Sequence, residues 1–442
     1  MLRRALRVLA LAAALAAAGR ARAETIPLGA CGPIARPFDP IELPAERIAA
    51  ARGTPIARLG LVAFRHGRLA PIPFQIDERS GRKLALTGGP EPTHDERPGV
   101  LDWDDLVVFM ACDAGEHAPP DALGALLASA HLASWHEIRI EDALDHTTGF
   151  AYLVVGDDPP ATPDHYVEYD GAADLVRTTA YRVGMVKALP NYFALAPPGR
   201  GPGPNLLDGL RLRAEATLRA DLAHWTLNEQ QGNHQLIAWK AGAVRVVRRS
   251  RHQVNVGFGI RLTAATAHSY FYPRMVFGPG SLKLPISPGL LLKEVTAFGA
   301  ADFRDLRGWR YHATGVPPAG FAIDGRMDEA ERKFAADGEW FAVEHDGEAV
   351  LMVTRMSENL RNGIRLGLIY RDDAEHGTPP EAVPGSLPLV GYQGFGVEKL
   401  PAGRYTFELR IYMLPGFTPG DEKPILVQLD APLAADGGAH GP

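Results

Sequence analysis

Short runs in which apolar and polar residues alternate follow one another along almost the whole chain. Many runs close on glycine, proline or an Asp-Gly or His-Gly pair. A two-residue period sets side chains on opposite faces of a strand, so the pattern demands many half-buried strands. ARLGLVAF, HEIRIE, GFAYLVVG, HSYFYPRMVF, RLGLIYRD and RYTFELRIYML are examples, and the 47 glycines and 37 prolines supply the turns between them. HGR (His66 to Arg68) and HDG (His345 to Gly347) sit between paired runs, as hairpins require. Helical character is confined to MDEAERKFAAD (Met327 to Asp337) and to DALGALLASAHL (Asp121 to Leu132), which reads as a short helix or an ordered loop. PILVQLD (Pro424 to Asp430) reads as a further strand.

Alternation of strand and helix is missing, as is a glycine-rich strand-to-helix turn, which argues against a dinucleotide fold. No regular repeat suggests a propeller or solenoid. The 442 residues exceed one ordinary core. The expectation is an all-β chain: a small N-terminal β-sandwich over residues 24–160, a large antiparallel β-sandwich over 161–434, and a disordered tail, ADGGAHGP, over 435–442.

The first 23 residues stand apart. MLRRALR is basic, VLALAAALAAAG is apolar but short for a bilayer span, and ARA (Ala21 to Ala23) supplies small residues for cleavage. This is the pattern of a secretory signal peptide, and it implies a periplasmic or secreted protein with no transmembrane segment in the mature chain. LGAC (Leu28 to Cys31) offers a rival reading as a lipobox acylated on Cys31, although Arg20, Arg22 and Glu24 separate it from the apolar run. Cys31 and Cys112 are the two cysteines. In an oxidising compartment they most simply form one disulfide, contributing about 4 kcal/mol if unstrained; two buried thiols are the alternative. The formal charge of −6 becomes −11 when the leader's five arginines are lost, a poor balance for binding nucleic acid or an anionic membrane.

PIPFQIDE (Pro71 to Glu78), LDWDDLVVFMACDAG (Leu101 to Gly115), GAVRVVRR (Gly242 to Arg249) and AGRYTFELRIYMLPGFTPGDE (Ala402 to Glu422) resemble a group of uncharacterised secreted bacterial proteins. Their larger domain is similar to the galactose-mutarotase-like supersandwich of several carbohydrate-active enzymes. That resemblance implies a β-supersandwich and a sugar-related role; it carries over no catalytic residue.

Three groups of residues carry candidate chemistry. Asp77 and Glu78 end one strand, while Asp102, Asp104 and Asp105 precede another, so these acids meet if the strands pair. They serve turn amides, or Asp77, Asp102, Asp104 and Asp105 hold a cation such as Ca²⁺; no other cofactor is expected. In RVVRRSRHQ (Arg245 to Gln253), Arg249 and Arg251 share one face and Arg248, Ser250 and His252 the other. Such a strand either lines a polar cleft or is a solvated edge. Trp225, His234, His252, His268, Tyr270, Tyr272 and Arg274 form an aromatic–histidine set suited to a sugar cleft, and equally to half-buried strands.

Familiar hydrolase, zinc, P-loop and haem signatures are absent. The reading is an exported carbohydrate-binding or carbohydrate-processing protein. Its ligand lies on the concave face of the large sandwich, against Trp225, His234, Arg249, Arg251, His252, His268, Tyr270, Tyr272 and Arg274. An enzyme on this scaffold would pair His252 or His268, as base, with Arg251 or Arg274 on a substrate carboxylate. The alternative is a structural or assembly protein of the cell envelope without catalytic activity. Oligomeric state is not legible.

Overall fold

Alternation becomes architecture in the computed structural model, which describes residues 25–196, 201–219, 224–255, 261–262, 266–334, 337–374 and 387–441. The leader lies outside these residues. The fold is an all-β sandwich assembly of antiparallel sheets, as the strand periodicity requires.

Two sheets face each other in the N-terminal sandwich. One has the strand order Ala434–Gly441, Leu132–Glu141, Thr148–Gly156, Leu59–Arg65, Arg68–Pro71. The other has the order Pro40–Pro44, Leu106–Met110, Phe74–Asp77. Leu61, Ile138, Ile140 and Leu153 from the first sheet meet Ile41, Leu43, Val107 and Phe109 from the second. The helix Pro120–Ser129 closes the outer side of the larger sheet, setting Leu123 against Val62, Tyr152 and Val154. LVVFM is wholly apolar because the three-stranded sheet is buried on both faces. Val107 and Phe109 point into the small core, while Leu106, Val108 and Met110 join the core of the large sandwich.

Three sheets build the larger part. A ten-stranded sheet runs from Gly232–Ala241 through Val246–Asn255, Thr266–Phe271, Met275–Leu284, Gly403–Leu414 and Glu348–Met356 to Trp340–His345 and beyond. A five-stranded sheet is centred on Leu292–Phe303, and a four-stranded sheet spans residues 168–195. Phe271, Val246, Phe303, Phe341, Val350 and Val390 share one core. The expected hairpins form: Arg65 pairs with Arg68 around His66 and Gly67 (φ 53° and 77°). His345 pairs with Glu348 around Asp346 and Gly347 (φ 51° and 82°). Two successive left-handed residues make the type I′ turn whose twist matches a strand pair.

Two expectations are corrected. The tail is not disordered: Ala434–Gly441 is the edge strand of the N-terminal sandwich, paired with Leu132–Glu141. Its glycines serve close packing. A Cβ on Gly437 would sit 2.0 Å from the Arg47 carbonyl oxygen, and one on Gly441 would sit 2.7 Å from the Trp135 ring. PILVQLD is not a strand but part of the helix Glu422–Asp430. Ile425, Leu426 and Leu429 lie on the helical spacing i, i+1, i+4 and pack on the large core. Arg36 stabilises the end of that helix, donating to the carbonyls of Gln428 and Ala431 while gripping Asp142 through two 2.6 Å hydrogen bonds.

The sandwiches are joined by a buried charge network. Arg245, in the hairpin after Ala241, donates from Nε to Asp77 Oδ2 at 2.8 Å and from Nη1 to the Tyr272 hydroxyl at 2.6 Å, and it also donates to Glu42. Both Arg245 and Asp77 are 1% exposed. Lys240 lies 3.3 Å from Asp77 Oδ1, and Gln75 donates to that oxygen at 2.7 Å. Gln75 Oε1 in turn accepts from the Val244 and Arg245 amides. Burial would raise the pKa of Asp77, but the Arg245 and Lys240 charges outweigh it and hold the carboxyl below its ordinary value. Removing one partner of such a pair leaves a charge buried and uncompensated. Asp77→Ala is therefore expected to lower stability by about 3–5 kcal/mol. In urea unfolding followed by circular dichroism it should also split one transition into two, as the sandwiches uncouple.

Candidate functional site

The strand Val246–Asn255 sorts the predicted residues onto two faces. It is not an edge, because Gly232–Ala241 and Thr266–Phe271 flank it. Its outer face, turned toward the N-terminal sandwich, carries Arg249 and Arg251. Register places Arg249 opposite His268, Val247 opposite Tyr270, Tyr270 opposite Phe277, and Phe277 opposite Arg410. The result is a row of three half-buried rings. His268 and Tyr270 have centroids 6.3 Å apart, and Tyr270 and Phe277 5.6 Å apart. Guanidinium groups lie against the row: Arg410 over Phe277 at 4.5 Å, Arg245 over the middle ring, Tyr270, at 5.1 Å, and Arg249 opposite His268. Burial, with the Arg249 charge beside it, pushes the His268 pKa below its ordinary value, so the ring is neutral at pH 7.

An arm of the N-terminal sandwich borders this row. Within residues 79–99, Gly88 exchanges two backbone hydrogen bonds with Trp239, and the Glu91 amide donates to the Ile237 carbonyl. The arm thereby covers the edge strand of the large sheet. A Cβ on Gly88 would lie 2.4 Å from the Trp239 ring, so only glycine permits this approach. Glu91 then holds Arg251 through two hydrogen bonds of 2.8 and 2.6 Å.

The inner face carries a different constellation. The His234 Nε2–Glu229 carbonyl distance is 3.1 Å, His234 Nδ1–His252 Nδ1 is 2.8 Å, and His252 Nε2–Ser250 Oγ is 2.7 Å. A carbonyl only accepts, so His234 carries its proton on Nε2 and accepts on Nδ1. His252 must then donate from Nδ1 and accept the Ser250 hydroxyl proton on Nε2. Each group fixes the next. Burial pushes the His252 pKa down to about 4, helped by His234 and by Arg248, which is itself held by Asp174. Ser250 is buried, so the chain of hydrogen bonds braces two strands.

The predicted nine do not converge on one point. Arg249, Arg251, His268 and Tyr270 lie together on the outer face; Tyr272 belongs to the Arg245 network. His234 and His252 are on the opposite face. Trp225 is in the strand His224–Asn228 of the five-stranded sheet, and Arg274 lines a crevice with Thr179, Ala180, Leu195, Glu348 and Met413. The pairing of His252 with Arg251 is excluded by their opposite faces. Phe277, Arg410 and Glu91 went unrecognised: the first two join the row through cross-strand register, and the third through an arm with no strand period of its own.

The four acids also separate. Asp77 belongs to Arg245, and Glu78 accepts the Gly99 amide as a turn residue would. Asp102 and Asp105 come together with Asp95, which was not expected, and all three are buried. Asp104 adjoins Asp102, which its amide reaches at 3.4 Å. The Cys31–Cys112 disulfide is formed. Among the described residues no helix is long and apolar enough to cross a membrane.

The sequence matches no protein-family model and no curated protein. Among solved structures, an α-mannosidase from Enterococcus faecalis V583 is similar, with a TM-score of 0.45 and 10% identity. The likeness covers 91% of this chain but 43% of the mannosidase, so this chain spans less than half of that protein's length.

The buried His252 has a consequence for stability. Unfolded, His252 would titrate near 6.5; folded, it titrates near 4. The unfolded chain therefore gains a proton that the folded one refuses as pH falls from about 6.5 to 4. This contribution to stability is complete above 6.5 and lost through that window. His252→Gln should flatten the acid-side fall of the melting temperature there, and NMR of wild-type protein should show His252 neutral, protonated on Nδ1, down to about pH 4.5.

Proposed function

We propose that this chain is an exported carbohydrate-binding or carbohydrate-processing protein that holds an acidic sugar chain on the outer face of its ten-stranded sheet. The carrying observation is the ring row His268–Tyr270–Phe277 with an arginine at each end. Aromatic faces suit the apolar side of a pyranose ring, and guanidinium suits carboxylates and hydroxyls. Arg249 and Arg410 stay half-buried, with terminal nitrogens that reach the Glu91 carbonyl and Glu408 Oε2 at 3.3 and 3.0 Å. They stand three strand spacings apart, about 14 Å, room for more than one sugar ring. A basic, apolar leader and a disulfide support export.

Affinity electrophoresis and calorimetry against uronate-containing and neutral polysaccharides test the reading. Binding to a uronate polymer is expected, weakened at least about tenfold in Arg249→Ala and in Phe277→Ala, a loss of about 1.4 kcal/mol. Absence of binding to every acidic polymer by folded protein would refute it and favour the envelope-assembly role.

A further inference from the structure

The buried acids suggest a site of another kind. Asp95, Asp102 and Asp105 each bring one carboxylate oxygen within 4.8 Å of the other two. A calcium–oxygen bond of about 2.4 Å lets one ion reach three oxygens spaced up to about 4.2 Å apart, so the set need draw together by no more than about 0.6 Å. Asp105 is 0% exposed, and Asp95 and Asp102 are 8% exposed. Among the described residues no lysine or arginine forms an ion pair with any of them. Asp105 spends its two oxygens on the Arg79 and Asp102 amides, at 2.9 and 2.8 Å. Asp95 uses Oδ2 on the Arg97 amide, while its Oδ1 is buried with no partner. Three carboxylates out of water, close together and with only the Arg97 charge acting on Asp102 and no ion pair, are a costly arrangement unless protons or a cation neutralise them.

We propose that Asp95, Asp102 and Asp105 form a calcium site that fastens the docking arm to the N-terminal sandwich. Asp95 lies on the arm's return. Asp102 and Asp105 immediately precede the central strand Leu106–Met110. An ion shared among them ties the returning arm to the most buried strand of the small sandwich, and the stretch between Leu84 and Glu91 is then presented to the edge of the ten-stranded sheet. Magnesium fits less well, since its bonds of about 2.0–2.1 Å ask for a tighter set. The proposal is independent of what the ring row binds.

The test uses the full mature protein, stripped with a chelator and then given calcium alone. Equilibrium dialysis against calcium at about 5 mM, followed by elemental analysis, should find one calcium per chain in excess of the buffer. Calcium at 5 mM, a concentration set roughly tenfold above the weaker extracellular sites, should raise the melting temperature by about 2–4 °C. It should also slow tryptic cleavage at Arg82 and Lys83. Terbium should luminesce on excitation of tryptophan, since Trp103 sits between Asp102 and Asp104, and calcium should quench that signal by displacement. Asp95→Asn gives a diagnostic sign: it should lower the melting temperature relative to wild type in calcium and raise it in chelator, where it only relieves repulsion. If calcium is neither retained nor stabilising and Asp95→Asn melts higher in both buffers, the acids share protons and the site is refuted. An equal shift from magnesium would overturn the choice of calcium. Terbium titration of wild-type protein decides the matter should the variant not fold.

Discussion

Everything in this molecule hangs on a guanidinium that has been taken out of water. Arg245 sits where the small sandwich meets the large one, and its donors are shared among Asp77, Glu42 and Tyr272 while its plane lies near two tyrosine rings. Neither sandwich alone could bury it, because the acids come from one and the arginine and tyrosines from the other. The network specifies relative orientation in a way that apolar contact does not: Leu106, Val108 and Met110 would tolerate sliding, but a hydrogen-bonded charge set tolerates little. Gln75 adds a second constraint by filling the hairpin at Gly242, where a Cβ would fall 2.1 Å from its Oε1.

That orientation determines what the outer face of the large sheet can offer. Part of it is covered by the small sandwich at Tyr272, and part is bordered by the arm at Glu91. Between the two lies the ring row. The face that the sequence marks as having both arginine and aromatic residues is therefore divided into a docking half and an available half. The boundary runs through Tyr270, whose ring touches both Arg245 and Phe277.

Strands, hairpins and the disulfide were legible in the sequence because each rests on simple rules: period two, left-handed turn pairs, and a lone pair of cysteines. The site was only half legible. Alternation alone placed Arg249 and Arg251 opposite His252, but which neighbours they meet depends on register across four strands. The identity of Asp77's partner was hidden for the same reason, since Arg245 lies 168 residues away. PILVQLD misled because an apolar run of that length fits a strand as well as one face of a helix. The glycine-rich tail misled because close backbone approach and disorder use the same residues.

The C-terminal strand carries a consequence for biogenesis. It completes the sheet that the first third of the chain begins, so a chain delivered from its N-terminus cannot finish its first module until its last segment has emerged. Throughout that interval Leu132–Glu141 presents an unpaired margin to other polypeptides. Truncation at the C-terminus would leave that margin bare, whereas an alteration ahead of Thr25 would leave the seam intact.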